Sequence, residues 1–363
     1  VNVVGEIGWP DGTPQALRDP NCVMQDRRLD VYVCARRDTT LNPGTPEERT
    51  WDLPVVYRIS GLTTGSAVLE DIIWHPFDDA SRQFNRFRNP REFEGFNPLT
   101  PEPDDRITDE DASFTGVAVL QDNSVYVTRS GPLNRAGDPD EGGQGLPTGV
   151  NPFNSILLYS SEGVNTGRLS LTAFDAFLPS LLSSVYPSDI ISYFQPPQES
   201  GLPPNRDFFV AQAPPPGAEV PAPRYGVLSI RVVETSDGID YRVDTERLAA
   251  ASDPERGDGF LYEEDQFVRP TDLARAGDET GYLFVVDAGT DSLYVFNAAG
   301  VEGVAPPPGS DATTPLIVSF GGEGGGPLAF RDPQGVAYFD RIVYVADTGN
   351  NRIARYRLNT DFE

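Results

Sequence analysis

Two stretches of the chain, 60 residues apart, are built alike. Leu283-Phe284-Val285-Val286-Asp287-Ala288-Gly289 and Val343-Tyr344-Val345-Ala346-Asp347-Thr348-Gly349 both run from an alternating apolar strand into Asp-x-Gly. Each is preceded by an Arg/Pro entry, Arg269-Pro270-Thr271-Asp272-Leu273 and Arg331-Asp332-Pro333-Gln334-Gly335-Val336. Strands of this length cannot bury a face alone, so a repeated unit must stack on its neighbours. Fainter copies stand upstream, at Tyr186-Pro187-Ser188-Asp189-Ile190, Phe114-Thr115-Gly116-Val117 and Arg18-Asp19-Pro20-Asn21-Cys22. The second strand of each copy begins near 31, 125, 208, 283 and 343.

Through Ala346-Asp347-Thr348-Gly349-Asn350-Asn351-Arg352-Ile353 the last copy resembles the NHL repeat, the unit of NHL-type β-propellers. The resemblance implies an all-β fold, a single β-propeller domain over residues 1–363. Five blades are counted, and a sixth would have to lie in 76–112, which shows no Val-Tyr-Val-like strand. Long insertions are expected at about 76–112 and 131–153. Asn2 to Ile7 reads like Leu316 to Phe320, the strand before the final copy. It is therefore expected to complete the last blade as its outer strand, closing the ring and covering an open edge.

Composition removes whole classes of function. The formal charge is −27, and all 28 cations are Arg because the chain has no Lys. Such a chain does not grip nucleic acid or an anionic membrane by bulk charge. One His, two Cys and no apolar run of roughly 18 residues exclude a poly-histidine metal centre, a zinc ribbon and a membrane-spanning helix. With 38% hydrophobic residues and 20 Phe, a large core is nonetheless available. The 35 Gly and 34 Pro read as punctuation between strands.

Chemistry-bearing candidates are few. Cys22 and Cys34 flank a hairpin centred near residue 28, which sets them opposite each other on neighbouring strands; a cross-strand disulfide fits and suits an oxidising compartment. His75 sits between Trp74 and Pro76 and reads as a packing or turn residue. It is too little for the several His ligands of zinc in the NHL-type lyases, and no Gly-x-Ser-x-Gly elbow accompanies it. Asp287 and Asp347 are expected as structural turn residues that accept backbone N–H groups. Calcium-dependent propeller lactonases gather acid and amide ligands centrally, but the matching positions in the other blades are Ala35, Arg129 and Gln212. The acids of 102–111 and Asp138, Asp140 and Glu141 lack an ordered calcium-loop spacing and read as solvated charge. No catalytic residue, metal or cofactor is assigned.

One segment stands out from its acidic surroundings. Between 82 and 96 the chain sets Arg82, Arg86, Arg88 and Arg91 among Phe84, Phe87, Phe93 and Phe96. Arg and aromatics are enriched at protein interfaces, so these eight are the partner-binding candidates. The alternative is a loop folded back on its own blade.

These features point to a non-catalytic, extracytoplasmic interaction or accessory subunit of a larger envelope or membrane-associated assembly, periplasmic or extracellular, with a protein partner. Membrane association would come through that partner or through an anchor preceding Val1. Two other readings stay open: a calcium-dependent hydrolase or lactonase, and a glycan-binding surface protein using Trp9, Trp51 and Tyr193.

Overall fold

The computed structural model describes residues 17–73, 113–130, 155–170, 187–192, 206–213, 225–244, 260–303 and 319–358, except positions 27, 42, 43, 47, 63–66, 164, 237, 264, 278 and 279. The fold is an all-β propeller; among the described residues it comprises five antiparallel sheets, the five blades. The chain divides into two compact units, Val1–Ala173 and Phe174–Glu363.

The first unit holds two blades. Blade I consists of β1 (Arg18–Gln25), β2 (Val31–Leu41), β3 (Arg49–Ser60) and β4 (Val68–Ile73), paired in that order. Blade II consists of β5 (Ser113–Val119), β6 (Val125–Ser130), β7 (Ser155–Tyr159) and β8 (Asn165–Ser170). Tyr32, Cys34 and Val56 of blade I pack against Phe114, Val117 and Val127 of blade II. The opposite face of blade I buries Val33, Ala35, Val55 and Tyr57 in a second cluster. Alternate residues of β2 thus serve alternate faces, which is the period-two pattern expected of a sheet buried on both sides.

The second unit holds three. Blade III is β9 (Pro187–Ser192), β10 (Phe208–Gln212), β11 (Val227–Thr235) and β12 (Gly238–Val243). Blade IV is β13 (Pro270–Arg275), β14 (Leu283–Asp287), β15 (Ser292–Phe296) and the two-residue β16 (Phe320–Gly321). Blade V is β17 (Pro333–Phe339), β18 (Ile342–Asp347) and β19 (Arg352–Arg357). β14 is buried throughout. Its Leu283 and Val285 join the cluster shared with blade III, while Phe284 and Val286 join the one shared with blade V. Full burial of each such side chain contributes about 1.5–3 kcal/mol, so the middle strands dominate the stacking.

The second strands begin where the repeat places them. The outer strands β4, β8 and β12 and the extension of the β2–β3 hairpin to Leu41 and Arg49 are additions the sequence pattern did not show. β16 pairs with β15 through Leu293 and Phe320, so the strand preceding blade V is the outer strand of blade IV. Asn2 to Ile7 and the insertions at 76–112 and 131–153 lie outside the described residues.

Candidate functional site

The polar residues that repeat from blade to blade gather where each first strand begins. All five first strands enter their sheets with a register shift: between Arg18 and Cys22, Phe114 and Gly116, Pro270 and Asp272, Pro333 and Gly335, and opposite Ala211 and Gln212 in β9. A bulge leaves a residue out of the ladder and re-aims its side chain. The residues so released are Asn21 with Asp19 and Pro20 in β1, and Thr115, Ser188, Thr271 and Gln334 in the others; Asn21, Ser188 and Thr271 hold the carbonyl that opens the next blade. Asn21 Nδ2 donates to the Phe114 carbonyl at 2.7 Å, Ser188 Oγ to the Pro270 carbonyl at 2.6 Å, and Thr271 Oγ1 to the Pro333 carbonyl at 3.1 Å.

In blades III and IV the next residue adds a second latch. Asp189 Oδ2 accepts the Leu273 N–H at 2.9 Å, and Asp272 Oδ2 accepts the Val336 N–H at 2.6 Å. Asp272 Oδ1 also takes the Leu273 N–H, at 3.0 Å, so two carboxyl groups share one donor. Burial, then the charge of Asp272, pushes Asp189 well above the usual carboxylate range. Burial likewise pushes Asp272 up to about 6. Blade V has Gly335 at this position. A Cβ there would come within 3.4 Å of Asp272 Oδ2 and of the Ala346 side chain.

Asp287 and Asp347 close the second strands of blades IV and V, and neither is exposed to solvent. Asp287 accepts four backbone N–H groups, from Val268 (2.7 Å), Arg269 (2.9 Å), Gly289 (2.7 Å) and Thr290 (3.1 Å). It ties the turn after β14 to the chain entering β13. Asp347 accepts the Arg331 N–H at 2.8 Å, the Asn350 amide at 2.9 Å and Arg352 Nε at 2.7 Å. Burial raises the Asp347 pKa, but these donors outweigh it and hold the group below its ordinary range. The glycine two residues on is required by contact. A Cβ on Gly349 would lie 2.6 Å from the Arg331 carbonyl oxygen, and one on Gly289 2.6 Å from the Val268 side chain. Gly349 N–H donates to that same Arg331 carbonyl at 2.8 Å.

Arg352 is the partner that sequence reasoning passed over, although it stands inside the quoted signature. Its Nη1 donates to the Gly325 carbonyl at 3.1 Å, and its Nη2 to those of Gly326 (2.8 Å) and Ala329 (2.7 Å). Asn350 Nδ2 donates to the Gly324 carbonyl at 2.8 Å and Tyr356 Oη to the Pro327 carbonyl at 2.8 Å. A glycine-rich loop can be held this way because it exposes its carbonyls, and a rigid guanidinium fork reaches several together. The matching second-strand positions differ. Gln212 donates from Nε2 to the Tyr225 carbonyl at 3.0 Å, Arg129 is buried, and Ala35 carries no polar group.

Cys22 and Cys34 face each other across β1 and β2 and are joined in a disulfide, with Cα atoms 4.9 Å apart. Cys34 is fully buried, and both cysteines belong to the cluster between blades I and II. On the extended hairpin Arg18 bridges Asp38 and Asp52, and Arg36 Nε reaches Asp52 at 3.1 Å. The partner candidates Arg82, Phe84, Arg86, Phe87, Arg88, Arg91, Phe93 and Phe96 lie outside the described residues. So do His75, Trp9, Tyr193, Asp138, Asp140, Glu141 and the acids of 102–111. Among the described residues no group of three or more His, Cys, Asp or Glu is arranged to hold a metal ion, and no helix is long and apolar enough to cross a membrane.

The fold and its latches thus define a β-propeller built from a degenerate repeat. The family model described as the NHL repeat matches residues 330–356, which run from Phe330 through Asp347, Asn350 and Arg352 to Tyr356. No curated protein sequence matches the chain. Solved structures resemble it at low identity. An auxiliary nutrient binding protein from Bacteroides thetaiotaomicron has a TM-score of 0.43 at 9% identity, over 94% of this chain and 59% of that one. The PQQ-bound aldose sugar dehydrogenase from Streptomyces coelicolor has a TM-score of 0.43 at 13% identity, over 95% of this chain and 78% of that one. A catalytically inactive virginiamycin B lyase from Staphylococcus aureus, with quinupristin, has a TM-score of 0.38 at 12% identity, over 95% and 83%. The chain spans less than two thirds of the length of the first of these.

Proposed function

We propose that this chain is a non-catalytic, extracytoplasmic β-propeller, one domain over 1–363. In this reading it is an interaction or accessory subunit of a larger envelope or membrane-associated assembly. The observation that carries the reading is the use made of the buried acids. Asp287 accepts four backbone N–H groups, and Asp347 accepts one backbone N–H, an amide and a guanidinium. Carboxylates committed in this way are poor ligands for a calcium ion and poor acid–base groups, because their lone pairs are already occupied. A propeller whose turn acids Asp287 and Asp347 are spent on its own backbone is suited to presenting a surface. The Cys22–Cys34 disulfide supports an oxidising compartment, periplasmic or extracellular. A protein partner is assigned to the Arg/Phe segment 82–96, whose composition matches an interface core in an otherwise acidic chain.

The test is purification from the native source under mild conditions, followed by the same purification after Phe84, Arg86, Phe87 and Arg88 are replaced by Ala. A stoichiometric partner is expected with the natural sequence and is lost in the variant. A chain that runs as a free monomer in both preparations overturns the reading. Retention of the partner by the variant moves the interface off this segment.

A further inference from the structure

We infer that Asp189 and Asp272 share one proton in the folded chain, and that this proton is a pH-sensitive clasp binding blades III, IV and V at their inner strands. The geometry carries this. Asp189 is buried on β9 and Asp272 stands at the equivalent position of β13, one residue after the bulged Ser188 and Thr271. Both take the single N–H of Leu273, at 2.9 and 3.0 Å. One N–H cannot neutralise two carboxylates, and oxygens of both side chains converge on this one. Two carboxyl groups in such contact cannot both be ionised in a buried site, so one keeps its proton. Asp189, the more deeply buried of the two, keeps the proton, while Asp272 Oδ2 is held by Val336 N–H at 2.6 Å. The chain of contacts therefore runs from blade III through IV to V.

The surroundings do not compensate the charge. Asp189 lies opposite Ala211 on β10, and Asp272 opposite Val286 on β14, while β17 offers Gly335. Besides the pair, β9, β10, β13, β14 and β17 contain two charged side chains, Arg275 and Asp287. Arg275 is three residues from Asp272, on the other face of β13. Asp287 is engaged by its own four N–H donors.

A group that holds its proton more tightly when folded adds stability below its unfolded pKa, and that stability drains as pH rises through its folded value. Both members of this pair are raised above the ordinary 3.8, Asp272 to about 6. Near pH 4 both carboxyls are protonated and the pair adds its full stability; as pH climbs through 6 Asp272 ionises, the pair passes to the single shared proton, and stability falls further as pH approaches the raised value of Asp189. The chain has one His, so imidazole titration adds little to the profile between pH 6 and 8.

The experiment is thermal unfolding of the whole chain and of Asp189→Asn at pH 5, 6, 7 and 8. An Asn at 189 can donate to Asp272 and accept from Leu273 without titrating. The natural chain should lose roughly 3 °C in Tm between pH 5 and 8 relative to Asp189→Asn, whose profile is flatter. Equal slopes overturn the inference. Infrared spectroscopy of the natural protein provides a readout that does not depend on the variant folding. A protonated carboxylic C=O band at pH 6 that disappears on unfolding is expected, and its absence from the folded protein also overturns the inference.

Discussion

Replacing Asp347 by Ala removes an unexposed carboxylate that engages three separate donors. The variant leaves the Arg331 N–H without its acceptor, frees the Asn350 amide and strips Arg352 Nε of its counter-charge. Hydrogen bonds to charged groups contribute about 1.5–3 kcal/mol each, and breaking a buried ion pair from one side costs about 3–5 kcal/mol. Because Arg352 is only partly buried and can turn to water, the low end applies: about 4 kcal/mol. That is a large share of the roughly 5–15 kcal/mol by which proteins are stable. Urea unfolding should show the midpoint falling by about 1 M with the slope unchanged. Arg352→Ala alone should cost about 2 kcal/mol, and the double variant should fall short of the sum by at least about 1 kcal/mol, since the two residues act through one contact. A loss under about 1 kcal/mol for Asp347→Ala, or full additivity with Arg352→Ala, refutes the idea that this carboxylate organises the end of blade V.

Four further outcomes follow from the same contacts. Reducing the Cys22–Cys34 disulfide, which closes a loop of sequence separation 12, should lower stability by about 3 kcal/mol, read as a fall in Tm with reductant. Gly349→Ala should destabilise by about 1–3 kcal/mol in the same assay, because its Cβ would meet the Arg331 carbonyl oxygen at 2.6 Å. Asp347, held below its ordinary range, adds stability that is present above pH 3.8 and lost as pH falls through its folded value; Asp347→Asn should flatten that acid limb. Burial and then Asp26 raise Tyr32 to about 12, so its phenol supports folding below pH 10 and fails as pH approaches 12; Tyr32→Phe should remove that alkaline loss in a pH series of Tm values.

What could be read ahead of the structure divides along the burial of the strands. β14 was legible because a strand that serves two cores writes a near-continuous apolar run, and β18 because a strand that buries alternate residues writes an alternating one. β12 was not: exposed Gly238, Ile239 and Arg242 give it an edge-strand composition with little pattern. The turn acids Asp287 and Asp347 were visible because the neighbouring glycine repeats at the same interval. The disulfide followed from hairpin register. The inner latches were missed although their signal was printed twice, as Pro187-Ser188-Asp189 and Pro270-Thr271-Asp272. A single hydroxyl after a proline looks like turn punctuation until a bulge swings it onto the next blade. Arg352 was hidden for a different reason: its partners are carbonyls of a glycine loop, which carry no side-chain identity for a sequence to display.

The central claim is that the buried turn acids Asp287 and Asp347 serve the propeller's own backbone. It is tested most directly by melting the natural chain and Asp287→Asn, each with calcium and with a chelator. The account predicts that the variant melts about 4 °C lower and that calcium moves neither curve. A calcium-dependent rise in the natural chain that vanishes in Asp287→Asn would contradict it, and would make this carboxylate an ion ligand.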